Sequence, residues 1–163
     1  MGKIQNHKMY FITIPVDKEK FKKELIEVRT DVSGWIKYYY NKSTEQEWVE
    51  YYPYQEDRSP SILKRTDLPD DLAGLTSACF SSDDIEDWRG LGAELSSGKY
   101  EIKKIAQVLK ANAQSWPGKA LSEFKKSFRP IDNRNIVGMK VEEVERSYRE
   151  FTDSKKEIDN IIK

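Results

Sequence analysis

Cysteine and histidine are almost missing from this chain: Cys79 and His7 stand alone in 163 residues. A single cysteine allows no internal disulfide, which suits a reducing compartment. One residue of each type excludes zinc sites built from several Cys and His ligands. A hard-cation site made of oxygens is left open. His7 lies in a short polar N-terminal segment, so a Cys–His or Ser–His catalytic pair has no support. Cys79 sits in the apolar stretch "LTSACF" and reads as an inert, buried small hydrophobe.

Long apolar runs are missing too. The longest, "MYFITIPV" at residues 9–16, falls far short of the ~20 residues a membrane span needs. The opening "MGKIQNHK" has no apolar core of a secretion signal. No membrane is expected as a partner, and the expected compartment is the cytoplasm. Net charge is zero, which argues against a nucleic-acid binder with a basic footprint.

The zero is a sum of unlike parts. Residues 1–65 carry a net +2, residues 66–101 a net −7 and residues 102–163 a net +5. Charge asymmetry of this kind bears on partners and association rates rather than on fold. At 163 residues the chain is read as one domain, large enough to bury a core without a metal or disulfide staple.

Residues 9–16 are rich in aromatic and β-branched side chains and read as a strand, with Pro15 near its end. Asp17 stands where a helix cap belongs. Phe21, Leu25 and Val28 follow at helical spacing, predicting a helix over residues 18–29. The aromatic runs "GWIKYYY" and "EWVEYYPY" flank the polar "NKSTEQ" and predict an antiparallel hairpin. Residues 61–66 suit one more strand.

Helical signals dominate from there. Asp67 with Pro69 opens a short helix, Ser82 or Asp83 caps another near residues 85–88, and further helices fit residues 99–111 and 118–128. The last segment places Val141, Val144, Tyr148, Phe151, Lys155, Ile158 and Ile162 three and four apart, a seven-residue seam across three heptads. It reads as a helix packed on its own domain, bent near residues 152–154. A dimer seam is the alternative, disfavoured by Lys155. Strands first and helices after argue an α+β fold with an N-terminal antiparallel sheet of three or four strands and a mainly helical C-terminal half.

The stretch "FSSDDIEDWRGLGAELSSGKYEI" at residues 80–102 concentrates the acidic charge. Gly90 and Gly92 begin a dinucleotide-type GxG, but Leu95 stands where the third glycine belongs. From Gly92 to Gly98 there is one residue too many for a P-loop, and Tyr100 follows Lys99 in place of Ser or Thr. An EF-hand loop starting at Asp83 fails at its third position, Ile85. No motif implies a cofactor or a metal. Gly90 and Gly92 read as a turn between two helices. Asp83, Asp84, Glu86 and Asp87 have two readings. They complement a helix dipole, or with Trp88 as an apolar anchor they form the face that meets a basic partner.

The hairpin's aromatics, Trp35, Tyr38, Tyr39, Tyr40, Trp48, Tyr51, Tyr52 and Tyr54, alternate over both faces. One face reads as core and the other as protein contact. The nearby Glu45, Glu47 and Glu50 count against a single-stranded nucleic-acid platform.

"GWIKYYYNKSTEQEWVEYYPY" followed by "DWRGLGAELSSGKYEI" resembles small bacterial immunity proteins of contact-dependent-inhibition and polymorphic toxin systems. The resemblance covers roughly residues 34–102; "SPSIL" stands where some of these families have a glycine-rich run. It implies a cytosolic, non-enzymatic antidote that binds one cognate protein toxin, such as a nuclease, and it assigns no site residue. Two rivals stand beside it. One is a small enzyme using carboxylate, Lys or Tyr chemistry. The other is a structural or adaptor protein dimerising through residues 141–162, although a monomer is favoured.

Overall fold

The computed structural model describes residues 9–54, 58–132 and 135–163; His7 and the rest of the N-terminal octapeptide lie outside them. The fold is α+β. Five strands, β1 (Phe11–Ile12), β2 (Ile26–Thr30), β3 (Lys37–Asn41), β4 (Gln46–Tyr51) and β5 (Ile62–Arg65), form one antiparallel sheet in the order β1-β5-β4-β3-β2. Helix α1 (Pro15–Lys22) follows β1, and the helices α2 (Leu72–Phe80), α3 (Ile85–Leu95), α4 (Ile102–Asn112), α5 (Gly118–Ser127) and α6 (Val141–Ile161) follow the sheet.

The hairpin forms as the aromatic runs predict, with Tyr39 opposite Trp48 and Lys37 opposite Glu50. The segment before it differs from expectation. The strand is short, because Pro15 starts helix α1 instead of closing the strand; proline suits a first helical turn, where its missing N–H costs nothing. The helix ends at Lys22 and residues 26–30 form a strand. Val28 carries helical spacing in sequence yet sits in a β-bulge between Glu27 and Arg29. Tertiary pairing with β3 overrides a weak local propensity here.

The sheet is covered on both faces toward β1, β5 and β4, whereas β2 is exposed along its length. Phe21 and Leu25 pack on Ile12, Tyr39, Trp48 and Leu63, and Phe21 meets Trp48 edge-on with ring centroids 5.0 Å apart. On the other face Phe11 and Ile62 join Leu75, Leu91, Leu109, Phe124 and Ile158 in the main core. The core face expected of the hairpin aromatics is present, but the other face is not simply open. Tyr39 and Trp48 are buried under α1, whereas Tyr51 and Tyr54 pack toward the helices. Trp35 and Tyr52 remain exposed, at the end of the sheet.

Helix α3 is central, and nine of its eleven residues are buried. Gly90 and Gly92 lie inside it, which corrects their reading as a turn. A side chain at Gly90 would overlap Phe11 of β1; one at Gly92 would overlap Ser127 of α5 and come within 2.7 Å of the Phe124 carbonyl oxygen. The missing Cβ atoms let a strand and a helix approach α3 closely. Gly98, with φ of 86°, makes the turn that follows.

Helix α6 runs unbroken from Val141 to Ile161 and packs along α4, bridged at the rim by Lys103–Glu150 at 3.6 Å and Lys110–Glu157 at 3.4 Å. The buried line is shifted from the predicted seam. Phe151, Ser154, Ile158 and Ile162 face inward, while Val141, Tyr148 and Lys155 face solvent. Among the described residues no helix is long and apolar enough to cross a membrane.

Candidate functional site

The acidic stretch folds inward. Asp84 caps α3, accepting from the Glu86 amide at 2.9 Å. Glu86 and Asp87 then point from the first turn of α3 into the edge of β1. Asp87, 0% exposed, accepts from the Tyr10 amide at 2.6 Å, the Phe11 amide at 3.0 Å and the Ser82 hydroxyl at 2.5 Å. Glu86 accepts from the Thr13 amide at 2.8 Å, the Ile14 amide at 3.3 Å and the Thr13 hydroxyl. Trp88 is buried and donates its indole N–H to the Ser82 carbonyl at 3.1 Å. These carboxylates do for β1 what another strand would do: they satisfy its main-chain donors.

The five residues expected as one docking face are thus not one face. Glu86, Asp87 and Trp88 are buried by contacts within the chain, and Asp83 alone of the five is classed as exposed. Other acids of residues 66–101 are also engaged. Asp71 caps α2 through the Gly74 amide at 2.7 Å. Asp67 pairs with Arg65 at 2.6 Å, Asp70 with Lys99 at 3.6 Å and Glu101 with Lys104 at 3.7 Å.

Two buried carboxylates are held above their ordinary range. Burial pushes Asp87 up to about 6, against the pull of its hydrogen bonds from Ser82, Tyr10 and Phe11. Burial likewise raises Glu94, on α3, to about 7 and lowers Lys64 of β5, which stands 3.2 Å away. Glu94 is 3% exposed and its second oxygen has no hydrogen-bond partner. Perturbed acids mark active sites when they converge in a cleft. Neither of these lines the cleft at the end of the sheet or the one between α4 and α6. They tie α3 to the sheet. Cys79 is wholly buried, and burial pushes its thiol well up.

The polar groups that do converge on a cleft lie elsewhere, where α1 crosses the α1-side face of β3 and β4. The cleft holds about 490 Å³. Glu50 is its hub. Its carboxylate accepts from Lys22 at 3.2 Å, the Tyr39 hydroxyl at 3.2 Å and the Ser61 hydroxyl at 2.9 Å, and it pairs with Lys18 at 3.3 Å. Lys18 also donates to the Ser61 hydroxyl at 2.5 Å and its carbonyl at 3.2 Å. Burial opposes the charge on Glu50, but the hydrogen bonds from Ser61 and Lys22 outweigh it and hold the carboxyl below its usual value. Burial opposes the ammonium of Lys22 too, and Glu50 outweighs it, holding Lys22 above its usual value.

That arrangement limits the chemistry. Ser61 sits between a lysine and a carboxylate, as a nucleophile would. However, Lys18 and Lys22 are both paired with Glu50, and a carboxylate held ionised by ammonium groups is a weak base. The cluster is an ion network that ties α1 to β4 and to Ser61.

Trp35 and Tyr52 form the rim of this cleft. They are 64% and 48% exposed, and their rings meet edge-on with centroids 5.4 Å apart. Both belong to the aromatic runs of the hairpin. Sequence could not separate them from Tyr39 and Trp48, because only the position of α1 decides which aromatics are covered. No motif spacing announces the Lys18–Glu50–Ser61 network: its members come from a helix, a strand and the residue before β5, far apart in sequence. Among the described residues no group of three or more His, Cys, Asp or Glu side chains is placed to hold a metal.

Comparison with family models, curated proteins and solved structures finds no match for this chain.

Proposed function

We propose that this chain is a non-enzymatic immunity protein that binds and neutralises a cognate protein toxin, docking through the end of the sheet marked by Trp35 and Tyr52. The observation that carries the reading is this exposed aromatic pair. Solvated Trp and Tyr side chains gain little for the monomer, whereas rigid amphipathic aromatics dominate protein–protein binding energy. The ion network beneath them supports binding over catalysis, since it offers a preorganised polar floor and no free base. The resemblance of residues 34–102 to immunity proteins points the same way.

The test has two stages. The chain is used to capture a stoichiometric partner from its native cytoplasm, and that partner is expressed alone to establish toxicity. Growth is then scored with wild-type chain and with the Trp35→Ala/Tyr52→Ala double variant. Truncating a hot-spot tryptophan costs about 2 kcal/mol or more, roughly 30-fold in affinity. Both sites are exposed, so folding should change little. The expected result is protection by the wild type and loss of protection by a folded double variant. A folded double variant that protects as well as the wild type would refute docking at this surface.

A further inference from the structure

We propose that the occupant of the Trp35–Tyr52 cleft presents an acidic side chain next to an apolar one, with its carboxylate received by Lys37. This rests on the docking reading above and gives its chemistry. The expected basic partner drew on the acidic block of residues 66–101, and most of that block is spent on caps, strand amides and ion pairs. The side chain left without an ion pair in the cleft is a lysine.

Three lysines, Lys18, Lys22 and Lys37, line the cleft against two glutamates, Glu19 and Glu50. Glu50 stands directly across from Lys37 in the strand register, the position for a cross-strand ion pair. Its oxygens are instead taken by Lys18, Lys22, Tyr39 and Ser61. Glu19 is largely solvated and leans on Lys22 at 3.6 Å. The acids of the adjoining turn and strand are also engaged. Asp31 accepts from the Ser33 hydroxyl at 2.7 Å and the Ile36 amide at 3.2 Å, and Glu27 accepts from Thr30 at 2.6 Å. Among the described residues Lys37 forms no ion pair within 4.0 Å. A carboxylate brought by the partner supplies what Glu50 does not. The aromatic rim beside it receives the apolar neighbour and shields the new pair from solvent, which strengthens it.

The probes are the blocked dipeptides acetyl-Glu-Phe-amide and acetyl-Gln-Phe-amide, titrated at millimolar concentration into isotopically labelled protein. Nuclear magnetic resonance follows the Trp35 indole N–H and the Lys37 amide. The expected result is saturable shifts at both, with the Glu peptide bound about threefold more tightly. That preference should vanish in Lys37→Glu and shrink at high salt. Equal affinities, or no shifts with either peptide, would overturn the inference. The growth assay separates this from failure of the docking reading. If Trp35→Ala/Tyr52→Ala loses protection and Lys37→Glu keeps it, docking stands and the carboxylate falls. If both variants protect, the docking reading falls with it.

Discussion

Replacing Gly92 by alanine should reverse the usual sign of a glycine-to-alanine change in a helix. Gly92 lies within α3, where alanine is favoured by about 1 kcal/mol on propensity alone. The added methyl would meet the backbone of α5, at 2.7 Å from the Phe124 carbonyl oxygen and 3.1 Å from the Phe128 amide nitrogen, besides overlapping Ser127. Ser127 can rotate, but the backbone contacts yield only if α5 retreats and opens the core between Leu91 and Phe124. Overpacking costs about 1–3 kcal/mol and sometimes more; a clash with backbone belongs to the upper part of that range, about 2–3 kcal/mol, so the net effect is a loss of about 1–2 kcal/mol. For a domain of this size that lowers Tm by about 2–8 °C. Gly118→Ala is the control: it sits at the start of α5 with nothing within 4 Å of the new methyl, and it should be neutral or stabilising by up to about 1 kcal/mol. Urea unfolding of the three proteins decides. A Gly92→Ala protein as stable as the wild type, with an unchanged slope against urea, would refute the close-approach account of α3 and α5.

Other perturbations test the inward-facing charges. Asp87→Ala strands the Tyr10 and Phe11 amides; at about 1–3 kcal/mol for each buried group left unpaired, a loss of at least about 2 kcal/mol is expected, whereas Asp83→Ala should stay within about 0.5 kcal/mol. Denaturant midpoints would distinguish the two. Asp87 and Glu94 are both raised by burial, to about 6 and about 7. The stability they contribute is fully present below their ordinary carboxylate range and is lost as pH rises through those values, at most about 3 kcal/mol each. Glu50 is lowered and works the other way, losing its contribution as pH falls below the ordinary range. Urea midpoints should therefore be higher near pH 5 than at pH 8, and equal midpoints would contradict the burial of these acids. Finally, Lys64→Met alone should cost about 1–3 kcal/mol by leaving the buried Glu94 carboxyl without its donor, while Lys64→Met with Glu94→Leu should recover most of it. A double-mutant cycle with no coupling would dispose of the pair as a link between sheet and helices.

The layout of strands before helices was legible, because the aromatic hairpin and the helical periodicities after residue 70 are strong local signals. The segment around residues 15–30 was not, since Phe21, Leu25 and Val28 fit a helix by spacing while β3 offers pairing that spacing does not reveal. The two glycines of α3 looked like breakers because a helix tolerates them only where neighbours press close, and those neighbours, Phe11 and Ser127, are distant in sequence. The same limit applied to the acids. A run such as Asp83, Asp84, Glu86 and Asp87 is ordinarily solvated, and nothing local announces that β1, more than 70 residues away, needs its amides satisfied. On α6 the C-terminal half of the pattern held at Phe151, Ile158 and Ile162, but Ser154, small enough to lie against α4, takes the inward place expected of Lys155, and Val141 and Tyr148 face solvent.

The carboxylate seal on β1 also makes that strand a reporter. Its amides at Tyr10, Phe11 and Thr13 are locked by side chains of α3 rather than by a neighbouring strand. They can exchange with solvent deuterium only when α3 lifts away from the sheet or the whole domain unfolds. Their exchange rates, compared with those of amides inside the β3–β4 hairpin, therefore measure the free energy of separating the helical half from the sheet. Three protons at one edge give a direct reading of whether the two halves open as one cooperative unit or as two.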